Sequence, residues 1–325
     1  PVPEVATSAG LELAQATIDA YYEPLESMRV ANAQPLFVAS FTDLARTGEL
    51  VLDAGGRIRQ FSDAEKPSIV GFTAHQIDVA RRRIRLDDDD DGLDSARARA
   101  GPLPFPRPGL ALANRLRAGD RVPTVSGILD GSTGGSGTAP RWRIRPLAES
   151  DALVFETANP RPLAPPTVRG SLVVASLNAM NFFSTIDTTA SSSSGPCGPS
   201  GTLDCRGADS SAERTRQTAK TTALLCRLDA DVVALMELEN DASATAGRLA
   251  DALNAVPNCG TYARVATGTL GSDAIAVALL YRPARVALVG PHAVLTHAID
   301  PRFDDFRNRP VLAQTLEERA TGRRL

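Results

Sequence analysis

The sequence predicts an α+β protein in which an N-terminal all-β domain is followed by a layered α/β domain. Before residue 149, short runs rich in Val, Ile, Leu and Phe alternate with turn signals, which is typical of small barrels and sandwiches. After residue 169, a strand, a helix and a second strand follow one another. Between them lies a segment with four prolines, which interrupt helices and sheet ladders: Pro160, Pro162, Pro165 and Pro166.

These observations divide the 325 residues into four parts. They are an N-terminal segment at 1–19, a β-barrel at 20–148, a Pro-rich linker at 149–169 and an α/β domain at 170–325. The chain is 43% hydrophobic and 22% charged, which suits a folded protein with a sizeable core. No apolar run approaches the ~20 residues of a membrane-spanning helix. We therefore expect no membrane span, and nothing in the composition implies an obligate protein partner.

The barrel region begins with an expected helix at 11–22 and continues with predicted strands. Six runs carry the strand pattern: LESMRV, PLFVASF, GELVLDAGGRIRQF, RRRIRLDDD, DRVPTVSGILDG and RWRIR. Gly55 and Gly56 form the two-glycine connection that favours a tight β-hairpin. The pattern predicts an all-β barrel or sandwich.

The barrel region is also rich in arginine. Residues 57–145 contain sixteen basic and eleven acidic side chains, a local balance of 16 − 11 = +5. A basic barrel with exposed aromatic rings suits a single nucleic-acid strand, because it follows the phosphates and stacks the bases. The alternative is a solvated arginine face around an ordinary core Trp. The residues concerned are Arg57, Arg59, Arg81, Arg82, Arg83, Arg85, Arg141, Arg143 and Arg145, with Phe61 and Trp142 as stacking platforms.

The α/β domain opens with the continuous apolar run SLVVASL at 171–177, which predicts a strand buried on both faces. Ser210 and Glu213 have the spacing of a capping box, so a helix is expected to begin there and to run to about Leu228. DVVALMELEN, from Asp231, predicts a second buried strand. The packed face of the helix is expected to carry Ala219, Ala223 and Cys226.

Polar side chains stand at the ends of both predicted strands. Asn178 follows the first strand, and Glu237 is the last polar residue of the second. A right-handed crossover makes the strands parallel, so both residues emerge at the carboxyl edge of the sheet, where ligands of such folds bind. An amide and a carboxylate are hard oxygen ligands that suit Mg²⁺. The alternative is that they are ordinary polar residues ending a strand.

The four cysteines permit three pairings if all are bonded. Cys197 and Cys205 flank a short segment rich in Gly, Pro and Ser, which suits a local disulfide better than a metal site. Such a bond stabilises by roughly 2 to 3 kcal/mol and persists in oxidising compartments. We therefore expect this disulfide and a secreted protein, although the first residues lack the pattern of a signal peptide. Pairing of Cys226 with Cys259 is left open.

Four segments carry a family resemblance: VASLNAMNFF, DADVVALMELEN, SDAIAVALLYRP and NRPVLAQTLEE. In this order they resemble the first half of the endonuclease/exonuclease/phosphatase superfamily. The combination is most similar to secreted bacterial extracellular nucleases and, at greater distance, to pancreatic-type deoxyribonuclease. The resemblance is strong over 171–325 and weaker before it. It implies an OB-like barrel followed by part of a four-layer α/β/β/α sandwich.

The resemblance also implies roles for individual residues. Asn178 and Glu237 would hold a divalent ion, Mg²⁺ or else Mn²⁺ or Ca²⁺, with Asn178 also near the attacked phosphate. Tyr281 and Arg282 would border the nucleic acid. Arg309 would contact a substrate phosphate, for which a guanidinium fork has the right shape. The implied activity is metal-assisted hydrolysis of phosphodiester bonds in extracellular DNA or RNA.

The same resemblance implies further catalytic motifs beyond residue 325: a His, an Asp with a nearby Asn, and an Asp–His pair. His75, His292 and His297 do not match them, so residues 1–325 are expected to be an incomplete and inactive part of a nuclease. Two alternatives stay open. One is a phosphatase or lipid phosphodiesterase on the same scaffold, and the other is a noncatalytic nucleic-acid-binding protein. The choice of DNA or RNA, of endo or exo cleavage and of the ion is not fixed by the sequence.

Overall fold

The computed structural model describes residues 10–88, 103–111, 113–131, 142–147, 153–189, 191 and 193–325. They form a mixed α+β structure, and the chain divides into two compact units, Pro1–Arg161 and Pro162–Leu325. This division falls inside the segment 149–169. No helix in the described part of the chain has both the length and the apolar character needed to cross a bilayer.

Unit 1, Pro1–Arg161, combines one sheet with short helices. Its helices are α1 (Gly10–Tyr22), α2 (Leu44–Thr47), α3 (Phe61–Ala64) and α4 (Ile69–Arg82). Its strands are β1 (Arg29–Ala31), β2 (Leu36–Ser40), β3 (Leu50–Asp53), β4 (Arg83–Leu86), β5 (Arg121–Val122), β6 (Ser126–Asp130) and β7 (Arg143–Arg145). The order in the sheet is β1-β6-β7-β4-β3-β2-β5, so the described hydrogen bonds leave β1 and β5 at its two ends. The only parallel pair among these strands is β4 with β7.

The predicted hairpin at Gly55 and Gly56 is wrong. Strand β3 ends at Asp53, and the chain passes through α3 and α4 before it returns as β4, antiparallel to β3. Helix α4 begins with its own cap, since the Ser68 hydroxyl accepts the backbone N–H of Gly71 at 3.1 Å. Unit 1 is therefore not all-β.

The predicted stacking platform at Trp142 is also wrong. Its side chain is 7% exposed, its ring lies 5.4 Å from that of Tyr22, and its indole N–H donates to Asp19 at 2.9 Å. Burial, together with the neighbouring Tyr21, raises the pKa of Tyr22 to about 12. Arg143 is 1% exposed and pairs with Asp87 at 2.6 Å. Trp142 and Arg143, which were predicted to lie on a nucleic-acid-binding face, are therefore buried inside unit 1.

Unit 2, Pro162–Leu325, contains a four-stranded sheet and a separate two-stranded sheet. Its elements are β8 (Val174–Phe182), α5 (Ser211–Leu228), β9 (Val232–Glu239), α6 (Ala244–Asn254), β10 (Ala263–Arg264), β11 (Ile275–Tyr281), β12 (Val286–Leu295) and β13 (Val311–Glu318). Strand order in the larger sheet is β10-β11-β9-β8, with β8 parallel and β11 antiparallel to β9. The predicted strand, helix and strand are thus confirmed as β8, α5 and β9.

The details of β8 and α5 differ from the prediction. β8 is an edge strand, and its alternate residues from Val174 onward are exposed, so it is not buried on both faces. The predicted cap is confirmed, since Ser210 Oγ accepts the N–H of Glu213 at 3.2 Å. The predicted packed face of the helix is wrong for Ala219 and Ala223, which are exposed, and right for Cys226, which packs against the core. The buried residues of the helix are Thr221, Thr222 and Leu225.

Two disulfides are present in unit 2. Cys197 bonds to Cys205, as predicted, and Cys226 bonds to Cys259, the pairing that the sequence left open. The second bond ties α5 to the segment that follows α6. Disulfides persist in oxidising compartments, so both bonds favour a location outside the cytosol.

Candidate functional site

The carboxyl edge of the larger sheet brings Asn178 and Glu237 into neighbouring positions. Asn178 on β8 is the register partner of Met236 on β9, next to Glu237. The Glu237 carboxylate crosses to β8, where Oε2 accepts the backbone N–H of Asn181 at 3.2 Å. Asn178 Oδ1 accepts the N–H of Met180 at 2.8 Å. Both predicted oxygen ligands thus lie on the same short stretch of paired strands.

This stretch is irregular on both sides of β9. β8 advances four residues, from Asn178 to Phe182, while β9 advances only two, from Met236 to Leu238. On the other side of β9 the register with β11 also shifts, between Leu235 and Leu238. Bulges of this kind occur next to active sites, where they redirect side chains.

Three residues of the same stretch have left-handed backbone conformations. Their φ values are 54° for Met180, 52° for Asn181 and 60° for Glu237. A left-handed conformation costs most residues other than glycine roughly 1 to 2 kcal/mol, but Asn adopts it more readily, so the strain lies mainly at Met180 and Glu237. Backbone strain of this kind persists only where the surrounding structure enforces it, and strained residues are concentrated at functional sites. The bulged rim, residues 178–182 with 236–238, is therefore the strongest site candidate in unit 2.

The rim offers few protein ligands to a metal. Within the described residues, no group of three or more His, Cys, Asp or Glu side chains is placed to hold an ion. Glu237 Oε1 has no hydrogen-bond or ion-pair partner in that part of the chain. Mg²⁺ is commonly bound through one or two carboxylates, with water and phosphate as its other ligands. The residues present therefore fit a Mg²⁺-type site better than a zinc or calcium cage.

Arg309 lies at the same edge, where it pairs with Asp273. Its Nη2 is 2.6 Å from Asp273 Oδ2, while Arg206 Nη2 is 3.0 Å from Oδ1 of the same carboxylate. Asp273 stands just before β11, whose first residue Ile275 is the register partner of Glu239 at the end of β9. One carboxylate thus holds two guanidinium groups side by side, leaving a net charge of +1.

The segment that carries Asp273 is fixed by Asn240, which follows β9 and is 2% exposed. Its side-chain amide donates to the carbonyls of Leu270 and Asp273 at 3.0 and 2.9 Å, and its oxygen accepts the N–H of Leu270 at 2.9 Å. The sequence analysis did not predict a role at the site for Asp273 or Asn240. The sequence signal for Asp273 was its position immediately before the apolar run 274–280. Only the structure shows that this run is antiparallel to β9.

A second carboxylate at this edge is buried and structural. Glu239 is 5% exposed, and its Oε2 accepts the N–H groups of Ser184 and Thr185 at 2.9 and 3.0 Å. The hydroxyl of Thr245 lies 3.2 Å from the same oxygen. These bonds tie the residues that follow β8 to the end of β9 and to the start of α6, next to the bulged rim.

A cavity of about 520 Å³ opens beside Arg309 and Asp273. The loop between β12 and β13 forms one wall and presents Phe306, whose side chain is 94% exposed. Asp304 organises this loop, since its Oδ1 accepts the N–H groups of Phe306 and Arg307 at 3.1 and 3.3 Å. The cavity therefore combines a paired guanidinium with a ring held in solvent.

The structure separates Tyr281 and Arg282 from this edge. Tyr281 is the register partner of Val232, the first residue of β9, so it lies at the opposite end of the sheet from Glu237. Arg282 contacts Asp229, donates to the carbonyl of Cys259 at 2.8 Å and lies 4.9 Å from the centre of the Tyr262 ring.

Arg282 thus fastens the Cys226–Cys259 disulfide region to the end of α5. Burial raises the pKa of the Tyr262 hydroxyl, which donates to the carbonyl of Ala230 at 2.9 Å. Tyr281 and Arg282 thus lie at the opposite end of β9 from Glu237, and that they border a nucleic acid stays a prediction.

Comparisons with protein-family models and with curated proteins found no match for this sequence.

Proposed function

We propose that this chain carries the substrate and metal rim of a secreted, divalent-metal-dependent nuclease that hydrolyses phosphodiester bonds of extracellular nucleic acid. The observation that carries the proposal is the bulged rim, where Asn178 and Glu237 lie together at one sheet edge. Arg309 and Arg206 lie at the same edge on Asp273. The resemblance to the endonuclease/exonuclease/phosphatase superfamily supports this assignment.

In this proposal Glu237 and Asn178 would hold the divalent ion, which would supply Lewis-acid chemistry toward a phosphate oxygen. The guanidinium groups of Arg309 and Arg206 bind the remaining phosphate oxygens, for which their planar forks are suited. Asp273 keeps both groups oriented before the substrate arrives. Positioning of this kind reduces the entropy lost when the reacting groups meet.

The fold assigned to unit 2 is part of a four-layer α/β/β/α sandwich. A mixed sheet with α5 as the crossover between parallel β8 and β9 supports this, as does the separate β12–β13 sheet. In unit 1, the support for an OB-like barrel is the run 29–40. It forms β1, which pairs with β6, and β2, which pairs with β3.

Counting β1 and β2 as one bent strand, and omitting the two-residue β5, leaves five strands in unit 1. In that count the bent strand pairs with β6 through its β1 part and with β3 through its β2 part, so it stands at both ends of the strand order. Five strands in a partly open barrel are the mark of an OB fold. The two disulfides of unit 2 support a location outside the cell.

The metal site is tested first on the chain itself, by titration with Mn²⁺ followed by electron paramagnetic resonance. Glu237→Gln is expected to weaken Mn²⁺ binding at least tenfold without changing the far-ultraviolet circular dichroism. The matched control is Glu317→Gln, which removes a carboxylate of β13 that pairs with Arg324. Equal Mn²⁺ binding by wild type and Glu237→Gln would remove Glu237 as a ligand.

Activity is tested by plasmid nicking with Mg²⁺, with and without a chelator. The assay uses the chain and, where its reading frame continues, the chain extended to the end of that frame. The proposal expects the extended chain to nick the plasmid, and Glu237→Gln in that extended chain to abolish nicking. Hydrolysis of a phosphomonoester or of phosphoinositide vesicles in place of plasmid would favour the phosphatase or lipid phosphodiesterase alternative. Tight binding of DNA without turnover in the extended chain would favour the noncatalytic alternative.

A further inference from the structure

A second cavity, of about 600 Å³, lies between α5 and β8 and shares Asn178 with the bulged rim. Its basic lining residues are Arg206, Arg216 and Lys220, and its one acidic lining residue is Glu213, so its wall has a net charge of 3 − 1 = +2. Neutral polar groups from β8 and α5 complete the polar part of the wall. The cavity therefore suits an anion.

Two of these cations, Arg216 and Lys220, lie on α5, where Glu213 is the one acidic residue of the cavity wall. Both are exposed, they are four residues apart on one helix face, and neither forms an ion pair within the described residues. Like charges at this spacing destabilise a helix, because the side chains are neighbours. A bound phosphate between them would reverse the sign of this interaction.

The cavity is tied rigidly to the rim by Gln217. Its side-chain amide donates to the carbonyls of Met180 and Asn181 at 3.0 and 3.3 Å, the two residues with left-handed backbone beside Glu237. Gln217 Oε1 is buried and has no hydrogen-bond partner among the residues that the structure describes. Such an acceptor lowers stability unless a donor reaches it. The arrangement fixes α5 relative to the rim and leaves one wall group unsatisfied.

Arg206 joins the two cavities. It lines the α5 cavity and also pairs with Asp273, which holds Arg309 beside the other cavity. The cations therefore form a series from Arg309 through Arg206 to Arg216 and Lys220. A single phosphate is too small to contact all of them, whereas a strand with successive phosphates can.

We propose that Arg216 and Lys220 form a binding subsite for the phosphates that flank the scissile bond, so that the substrate is a nucleic-acid strand rather than a phosphomonoester or a single lipid headgroup. The inference rests on the proposed function for the position of the scissile bond. The subsite itself is defined by the charge of the α5 cavity and by its link to the rim through Arg206 and Gln217.

The test measures binding of a fluorescein-labelled 15-nucleotide DNA strand to the full chain by anisotropy, in chelator and over a range of salt concentrations. Removing two phosphate contacts with Arg216→Gln plus Lys220→Gln is expected to reduce the slope of log affinity against log salt by about 1.4 for a single strand. If both proteins bind alike at 1 M salt, this equals roughly 25-fold weaker binding at 0.1 M.

The matched control is Arg227→Gln plus Arg323→Gln, which changes the net charge equally at exposed positions outside both cavities. Circular dichroism checks that α5 is intact in each protein. Any of three results would overturn the subsite. The slope could be unchanged in the α5 variant, or it could change equally in the control. The wild type could also prefer phosphoinositide vesicles to the DNA strand. Glu237→Gln is expected to keep the wild-type slope of log affinity against log salt, because Glu237 is not part of the subsite. Failure of the metal site would therefore appear in the Mn²⁺ titration, and failure of the subsite in the salt slope.

Discussion

The strain assigned to the bulged rim can be measured at Met180, because its side chain is 77% exposed while its φ is 54°. We compare Met180→Gly with Met180→Ala, so that loss of the Met side chain cancels. Glycine relieves a left-handed conformation worth roughly 1 to 2 kcal/mol. Its greater freedom in the unfolded chain costs about 0.5 to 1 kcal/mol relative to alanine. From the middle of each range, Met180→Gly is therefore expected to be more stable than Met180→Ala by about 0.75 kcal/mol.

The control position is Val174, on the same strand and 59% exposed, where φ is not positive. There glycine relieves no strain, so Val174→Gly is expected to be less stable than Val174→Ala by about 0.5 to 1 kcal/mol. The sign of the glycine–alanine difference should thus reverse between two exposed positions of β8.

The assay is calorimetric unfolding combined with Trp fluorescence. Trp142 is the only Trp of the chain and lies in unit 1, so a transition that its fluorescence does not follow belongs to unit 2. For a domain of this size the difference corresponds to a shift of roughly 1 to 4 °C in Tm. If Met180→Ala is at least as stable as Met180→Gly, the left-handed backbone at the rim is not strained and the argument from strain to function fails.

Two further predictions concern stability. Opening the Cys226–Cys259 bond with serine at both positions is expected to lower the free energy of unfolding of unit 2 by about 3.7 kcal/mol. Opening Cys197–Cys205 in the same way should lower it by about 2.5 kcal/mol, because the chain-entropy term grows with loop length and the separations are 33 and 8 residues. Guanidinium unfolding measures both, and a larger loss from the shorter loop would contradict the reasoning. In unit 1, burial raises the pKa of Asp53 above its ordinary 3.8, against the opposing effects of the Gly55 N–H and Arg82. The folded state therefore holds this proton more tightly than the unfolded state, so the contribution of Asp53 is greatest below pH 3.8 and is lost as the pH rises through the higher folded value. The stability of Asp53→Asn relative to wild type should rise over that pH range, measured by Trp142 fluorescence, and a flat or falling difference would exclude the assigned cause.

The local signals of unit 2 were sufficient to predict the order strand, helix, strand, although not which faces of β8 and α5 are buried. A continuous apolar run indicated β8, the Ser210–Glu213 spacing indicated the start of α5, and a second apolar run indicated β9. The right-handed crossover then placed Asn178 and Glu237 at one edge, because parallel strands joined in this way end together. The bulges at that edge were not predictable, since Met180, Asn181 and Glu237 carry no glycine signal for a left-handed backbone.

Unit 1 was harder to predict because two of its signals compete. Gly55 and Gly56 favour a hairpin, whereas Ser68, twelve residues after Gly56, caps a helix. Ile69 and Val70, at the start of α4, are 87% and 79% exposed, so the apolar pattern there does not mark a buried face. The arginine-rich pattern of unit 1 also gave a wrong prediction at Arg143. Arg143 is buried against Asp87, and a carboxylate so far away in sequence gives no local signal that an arginine is neutralised.

Arg282 and Arg309 show why the sheet register is needed to tell which residues lie at the functional site. Both precede proline in the sequence, and both were assigned to substrate. β11 runs antiparallel to β9, however, so the residue that follows β11, Arg282, lies at the amino end of β9, where Asp229 engages it. The residue that precedes β11, Asp273, lies at the carboxyl end of β9 and engages Arg309. On an antiparallel neighbour of a site strand, the residues before the strand reach the site, whereas on a parallel neighbour such as β8 the residues at its end do so.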